Sequence, residues 1–118
     1  MTKVDLIPIS CPVIGEEEVD AVADVVRSGW ITMGKKVQEF ERLVCEYSGA
    51  RYAVAMNNGT STLHALLMAL EIGPGDEVII PSLTYISAAN VILYQGATPV
   101  LCDSDPHTFN VNPCLLYT

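Results

Sequence analysis

The first half of the chain has the periodicity of two amphipathic helices. In residues 16–29 the valines recur three or four positions apart, acidic side chains open the segment and Gly29 stands where the helix should end. A second stripe with the same period runs through residues 35–49 and stops at a glycine. The connector between them, residues 29–34, has a glycine at each end, which permits unusual backbone geometry.

The second half alternates short, continuously apolar runs with helical segments. Strands are predicted at 51–56, 77–81 and 98–103, with helices between them at 60–72 and 85–95. This β-α-β-α-β order with short connectors predicts parallel strands, right-handed crossovers and helices that cover the sheet. Because the strands are apolar throughout rather than alternating, we expect them to be buried on both faces. The fold class is therefore α/β.

Composition and charge narrow the class of protein. The chain has 118 residues, enough for one small core, and 50% hydrophobic against 17% charged residues argues against disorder. The net charge of −8 argues against binding nucleic acid or an anionic membrane. Neither a transmembrane-length apolar run nor the apolar core of a signal peptide is present, so a cytoplasmic location is predicted.

The turn NNGTS, after the first predicted strand, is the most informative candidate site. Ligands of open α/β sheets bind beyond the carboxyl ends of the strands, and this turn lies there. Gly59 lets a ligand approach the backbone, while Thr60 and Ser61 offer N–H and hydroxyl groups to a phosphate at the positive end of a helix. An equally good interpretation is that Thr60 or Ser61 only caps the helix. The dinucleotide glycine motif and the Walker lysine are both missing, which disfavours nucleotide binding.

Other polar and aromatic positions are weaker candidates. Tyr85 follows the second strand and has the position to stack on a flat ligand, although a core aromatic at the start of a helix is the better explanation of this residue taken by itself. Asp103 and Asp105 are better explained as solvated acids than as a magnesium site. His64, inside an apolar helix, favours a hydrogen-bonded structural role, and His107 lies on a loop. The four cysteines lack metal-ligand spacing, which favours free thiols in a reducing compartment.

Taken together, these segments resemble the N-terminal part of the nucleotide-sugar aminotransferases of the DegT/DnrJ/StrS type, which are fold-type I enzymes that use pyridoxal 5′-phosphate. The matching motifs are SGWITMGKKVQEFE, NNGTSTLHALLMALEIGPGDEVIIPSLTY, GATPVLCDSD and TFNVNP. The resemblance implies an α/β fold that is the N-terminal part of the large domain, a mostly parallel sheet flanked by helices. It covers residues 9–113, and residues 1–113 are expected to belong to this truncated domain.

The resemblance also implies roles for individual residues. Gly59, Thr60 and Ser61 match the residues that bind the cofactor phosphate, and Tyr85 matches an aromatic ring placed against the face of the pyridine. Residues 29–32 resemble a segment near the mouth of the active site, where Trp30 and Thr32 are expected to contact substrate. The implied reaction transfers an amino group from an amino acid, usually glutamate, to a nucleotide-linked keto-sugar in cell-surface glycan or antibiotic-sugar biosynthesis. A homodimer is expected.

The chain departs from the family in what it lacks. The catalytic lysine and the aspartate that binds the pyridinium nitrogen lie downstream of every matched motif, and Lys3, Lys35 and Lys36 match no lysine motif. No catalytic residue is therefore predicted here, and the isolated chain is expected to be inactive. The ending CLLYT, residues 114–118, resembles a translated sequencing adapter and is predicted to be a non-native tail of a truncated gene.

Two other functions stay open at this point. One is a sugar dehydratase of the same family, in which a histidine replaces the catalytic lysine. The other is a non-catalytic protein, either a regulatory relative or an inactive fragment. The discriminating position is not among the matched motifs. Because parallel strands taken from a larger sheet leave an unpaired edge, the chain is also expected to aggregate.

Overall fold

A computed structural model describes residues 7–116 of the chain. The chain divides into two compact units, Met1–Ala55 and Met56–Thr118. Lys3 and the last two residues of the predicted tail 114–118 lie outside the described residues. Within the described range, no helix combines the length and apolar character needed to cross a bilayer.

The first unit contains helix α1, Glu16–Arg27. Its start is fixed by Glu18, whose carboxylate accepts the backbone N–H of Gly15 at 2.7 Å. Its end is fixed by Gly29, which has a φ of 71°, a conformation that a side chain would strain. The helix predicted for residues 16–29 is confirmed, with the glycine in the predicted stop position.

Helix α2, Lys35–Ser48, follows in the same unit and also ends as predicted. Gly49 has a φ of 74° and donates its N–H to the carbonyl of Cys45 at 2.9 Å. The apolar stripes of both helices are nevertheless open to solvent, since no residue of α1 or α2 is buried. Phe40, in the middle of the α2 stripe, is 58% exposed.

The strand predicted at residues 51–56 is wrong. These residues are extended but form no ladder with another strand, and the backbone N–H of Ala55 is instead donated to the carboxylate of Glu41 at 2.9 Å. A strand requires a hydrogen-bonded partner, and none pairs with this segment in the part of the chain that the structure describes.

The second unit holds the sheet and its helices. Its elements are α3 (Gly59–Ala69), β1 (Glu77–Pro81), α4 (Ser87–Tyr94), β2 (Thr98–Cys102) and a 3-10 turn (Pro113–Leu116). Strands β1 and β2 pair in parallel, in a register that runs from Glu77 opposite Thr98 to Pro81 opposite Cys102. The predicted parallel pairing through a crossover helix is confirmed, although the described sheet has two strands and not three.

The core of this unit lies between the sheet and α4. Ile80 of β1, Ile92 of α4 and Ala97 are buried together, and Leu67 of α3 packs against them. Helix α4 contacts both strands, and α3 packs on α4. This arrangement places the N-termini of α3 and α4 in one unit, at the carboxyl end of β1.

The other face of the sheet is covered only in part, since Cys102 on that face is 7% exposed while Ile79 is open. Ile79 is 52% exposed although its neighbour Ile80 is buried, because successive side chains of a strand point to opposite faces. Leu101 of β2 is 69% exposed as well, but it stands opposite Ile80 in the register and so belongs to the face on which the helices pack. The expectation that both faces are buried is therefore wrong for this chain: its helices pack on one face, and nothing within the unit covers Ile79.

Two helix boundaries also differ from the prediction. Helix α3 ends at Ala69 rather than at residue 72, and Glu71 has a φ of 58°, which the α-helix does not allow. Helix α4 begins at Ser87 rather than at Tyr85. Tyr85 consequently lies in the loop that precedes α4, where its side chain is 76% exposed.

Candidate functional site

The N-terminus of α3 is capped by Asn58. This residue is extended, with φ −164° and ψ 166°, and its side-chain oxygen accepts the N–H of Ser61 at 2.8 Å. The hydroxyl of Thr62 is donated to the carbonyl of Asn58 at 3.3 Å. Capping by Thr60 or Ser61, the simpler interpretation of the sequence, is therefore wrong.

The cap leaves several donors at the start of α3 without a partner. Within residues 7–116, the backbone N–H groups of Gly59 and Thr60 have no acceptor, as expected for the first residues of a helix. The hydroxyls of Thr60 and Ser61 make no hydrogen bond in this part of the chain either. Four donors thus remain free within one helical turn.

The donors of Gly59 and Thr60 adjoin a cavity of about 520 Å³ in the second unit. Its lining consists of Gly59, Thr60, Thr62, Leu63, Tyr85 and Ser87. The structure therefore brings together three of the four residues predicted to bind the cofactor, with the ring of Tyr85 beside the first turn of α3. Ser61 does not line the cavity, and its N–H is occupied by Asn58.

Gly59 has no evident structural reason to be a glycine. Its φ is not in the left-handed region, and a Cβ built on it would meet no atom within 4 Å. Neither backbone strain nor close packing therefore requires glycine here. The missing side chain keeps the space in front of the free N–H groups open, which is the requirement of a ligand that approaches the backbone.

Ser87 belongs to the site and was missed by sequence reasoning. It is the first residue of α4, it lines the cavity and it is only 9% exposed. The N-cap of α4 is Ile86, which has no polar side chain to offer. The available signal was a serine at the start of an otherwise apolar helix, SAANVILY, two positions after Tyr85.

The electrostatics of the cavity favour an anion. Helices α3 and α4 both begin at its lining, and each helix N-terminus carries a partial positive charge of about +0.5. No acidic or basic side chain belongs to that lining. A bound anion would therefore meet oriented backbone and hydroxyl dipoles without repulsion from a carboxylate, even though the whole chain carries a net charge of −8.

Trp30 and Thr32, the predicted substrate contacts, lie in the first unit. Both line a cavity of about 840 Å³ formed by residues between Asp24 and Gln38. The indole N–H of Trp30 is donated to the carbonyl of Met33 at 2.9 Å, and a Cβ at Gly34 would lie 2.5 Å from the indole ring. The indole N–H is thus already used within the connector, and only the face of the ring is free for a ligand.

The acidic residues after β2 shape a loop. The carboxylate of Asp105 accepts the backbone N–H groups of Thr108, at 2.8 Å, and of His107, at 2.9 Å. These hydrogen bonds, foremost that from Thr108, hold the pKa of Asp105 below its ordinary value of 3.8. Asp103 accepts the hydroxyl of Ser82 at 3.4 Å. Among the described residues, no three side chains converge in a geometry that would bind a metal ion.

The remaining histidine and the cysteines are away from the cavity. His64 is half-buried and meets the ring of Tyr94 edge-on at 5.8 Å. No hydrogen bond to His64 occurs in residues 7–116, so the prediction of a hydrogen-bonded histidine is wrong. The structural role of His64 is aromatic packing. The cysteines are free thiols, and only Cys102 is buried.

The fold and the site define an α/β protein in which two helix N-termini and a tyrosine line one cavity of the second unit. The sequence model of the DegT/DnrJ/EryC1/StrS aminotransferase family matches residues 12–117, and the chain belongs to this family. The family predicted from the motifs is confirmed.

Individual relatives match nearly all of this chain but only about a third or less of their own length. The GDP-perosamine synthase of Caulobacter vibrioides is 46% identical over 117 residues, which make up 98% of this chain and 32% of that protein. Spr1654 of Streptococcus pneumoniae, described as a sugar aminotransferase, is 45% identical, with a TM-score of 0.83 over 93% of this chain and 28% of that one. Its structure is known in PLP, PMP and apo forms.

A relative with a different product shares the same fold. The 3-amino-5-hydroxybenzoic acid synthase is 33% identical, with a TM-score of 0.79 over 91% of this chain and 28% of that one. The chain thus spans about a third or less of the length of these relatives. The predicted fold class, part of the α/β fold of the PLP aminotransferases, is confirmed.

Proposed function

We propose that this chain contributes part of the cofactor site of a pyridoxal 5′-phosphate-dependent sugar aminotransferase. The observation that carries the proposal is the cavity at the start of α3, where unpartnered donors of Gly59 and Thr60 adjoin the ring of Tyr85. A phosphate ester on a flat aromatic ring has both of the chemical features that this lining would recognise.

The residues present fit the cofactor. The N–H groups of Gly59 and Thr60 and the hydroxyls of Thr60 and Ser61 would hold the phosphate, and the open space at Gly59 admits it. Tyr85, exposed and in the loop before α4, would cover one face of the pyridine ring. When bound, the cofactor supplies an electron sink for the transfer of an amino group, while the protein binds and orients it.

The proposal extends to the substrates, the location and the oligomeric state of the protein. The amino group would pass from an amino acid, glutamate, to a nucleotide-linked keto-sugar in cell-surface glycan or antibiotic-sugar biosynthesis, in a cytoplasmic homodimer. Support for a sugar substrate comes from the names of the Caulobacter and Streptococcus relatives. Trp30 and Thr32 would contact the substrate from the cavity of the first unit.

The phosphate role of α3 is tested by comparing two ligands that differ only in the phosphate. Pyridoxamine 5′-phosphate and pyridoxamine carry no aldehyde, so neither condenses with a lysine, and equilibrium dialysis reports non-covalent affinity alone. The protein expressed from its complete gene should prefer the phosphorylated ligand. Replacing Thr60 and Ser61 together by alanine should reduce that preference roughly tenfold or more, because hydrogen bonds to a charged group are lost.

The controls separate the phosphate from the ring. Thr98→Ala removes an exposed hydroxyl that does not line the cavity and should leave both affinities unchanged. Tyr85→Leu should weaken both ligands by a similar factor, since both carry the pyridine ring. Equal affinity of the unaltered protein for the two ligands would refute a phosphate site at α3.

A further inference from the structure

Ser87 is a nearly buried serine whose hydroxyl the fold leaves without a partner. The residue is 9% exposed, yet its Oγ makes no hydrogen bond in the described part of the chain. The hydroxyl therefore keeps an unused hydrogen-bonding capacity in a nearly buried position, and a ligand in the cavity could satisfy it.

The cavity is where such a partner would lie. Ser87 lines it together with Gly59 and Thr60, and its Oγ is not among the fully enclosed, unsatisfied side-chain atoms of the described residues, where only that of Ser104 is found. The hydroxyl of Ser87 is therefore sterically reachable from the cavity. In addition, the backbone N–H of Ser87, as the first residue of α4, has no acceptor in residues 7–116.

Two independent observations thus point to one ligand. The first turn of α3 presents free N–H and hydroxyl groups to the cavity, and α4 presents a second helix N-terminus with a buried serine hydroxyl. Both groups are hydrogen-bond donors, and neither helix places a carboxylate in the lining. An anionic oxygen with several lone pairs would satisfy both.

We propose that Ser87 is a second phosphate-binding residue, which donates its hydroxyl to the phosphate of the cofactor from α4 while Gly59 and Thr60 bind it from α3. This inference rests on the proposed function, because it takes the ligand to be a pyridoxal-type phosphate. The anion is then held by residues on two helices that flank Tyr85, which fixes the position of the ring as well as that of the phosphate.

The test uses the same two ligands, pyridoxamine 5′-phosphate and pyridoxamine, on the protein expressed from its complete gene. Ser87→Ala should weaken the phosphorylated ligand roughly tenfold and leave the affinity for pyridoxamine unchanged. Ser87→Cys, which keeps the size of the side chain but donates poorly, should have the same effect. The melting temperature of the unliganded protein should not fall, because the hydroxyl has no protein partner to lose.

A matched control is Ser104→Ala. Ser104 has an enclosed, unpartnered hydroxyl in the same unit, and it does not line the cavity. Its replacement should change neither affinity. If Ser87→Ala lowers the affinity for both ligands equally, or for neither, the inference is overturned. If the alanine variant does not fold, the same comparison is made with Ser87→Cys.

The two proposals fail in different ways. If the joint replacement of Thr60 and Ser61 by alanine reduces the preference for the phosphorylated ligand and the Ser87 variants do not, the cofactor site stands and the role of Ser87 is refuted. If the unaltered protein shows no preference for the phosphorylated ligand, the proposed function falls and the role of Ser87 falls with it.

Discussion

Asn58 decides which groups at the start of α3 remain available to a ligand. Its side-chain oxygen accepts the N–H of Ser61, so the helix is capped without the hydroxyls of Thr60 or Ser61. If Thr60 or Ser61 capped the helix, its hydroxyl would be hydrogen-bonded to the helix backbone and would not be free for a ligand. The residue that caps the helix is therefore different from the neighbouring residues that we propose to bind the phosphate.

Replacing Asn58 by alanine should destabilise the protein. The Ser61 N–H loses its acceptor, and the loss of an N-cap typically lowers the free energy of unfolding by about 1 kcal/mol. Urea denaturation followed by circular dichroism measures the change. Asn57→Ala is the matched control, because Asn57 is exposed and makes no hydrogen bond in residues 7–116. Equal destabilisation by both substitutions would contradict the capping role.

Sequence reasoning located part of the site at this scale. Gly59 and Thr60 were predictable because the helical period of α3 fixes where its N-terminus lies, and Tyr85 because it follows strand β1. Asn58 and Ser87 were missed for a physical reason. Which polar group caps a helix depends on the backbone angles of the residue before it, and whether a serine is buried without a partner depends on packing from distant elements.

At the scale of elements, helices were predicted better than strands. The ends of α1 and α2 follow from local glycines, Gly29 and Gly49, whose positive φ angles stop a helix regardless of its surroundings. Residues 51–56 have the composition of a strand, but a strand is completed by a partner, which local sequence does not specify. The β1–β2 pair was predictable because a helix connects the two strands directly.

The loop after β2 depends on the ionised form of Asp105. Its pKa is lowered in the folded protein, chiefly by the N–H groups of Thr108 and His107, so folding favours the carboxylate. The stabilisation is fully present above the unfolded pKa and is lost as pH falls through the still lower folded pKa. Asp105→Asn should therefore destabilise the protein at pH 7 but not at a pH well below 3.8.

Urea denaturation of the two proteins at several pH values tests this expectation. Amide hydrogen exchange at His107 and Thr108 provides a local measure, since their N–H groups bond to Asp105. Asp20→Asn is the control, because Asp20 is exposed in α1 and lies outside the loop. A difference between Asp105→Asn and the unaltered protein that persisted at low pH would contradict the titration of this carboxylate.

At the scale of the whole molecule, the proposed cofactor site contains no lysine. Lys35 and Lys36 belong to α2, in the first unit, and no lysine lines the cavity of the second. Incubation of the 118-residue chain with pyridoxal 5′-phosphate, followed by borohydride reduction, should therefore modify lysines only partially and without preference. Peptide mass spectrometry gives the extent at each position. Stoichiometric labelling of one lysine would show that the chain carries its own catalytic residue.

The exposed apolar surface is the other property of the molecule as a whole. Ile79 and Leu101, on paired strands, are 52% and 69% exposed, and the stripes of α1 and α2 are open as well. Apolar surface of this kind, next to an unpaired strand edge, promotes association. The 118-residue chain should consequently form oligomers or aggregates at micromolar concentration, which light scattering after size exclusion measures.

Replacing Ile79 and Leu101 together by glutamate should reduce this association, because the sheet then presents charge in place of apolar surface. Thr98→Glu is the matched control, since it adds a carboxylate to an exposed position of β2 without removing an apolar side chain. If the control lowers the apparent mass as much as the double substitution, added charge and not the loss of apolar surface is responsible. A monodisperse unaltered chain with cooperative thermal unfolding would show that this surface does not drive association.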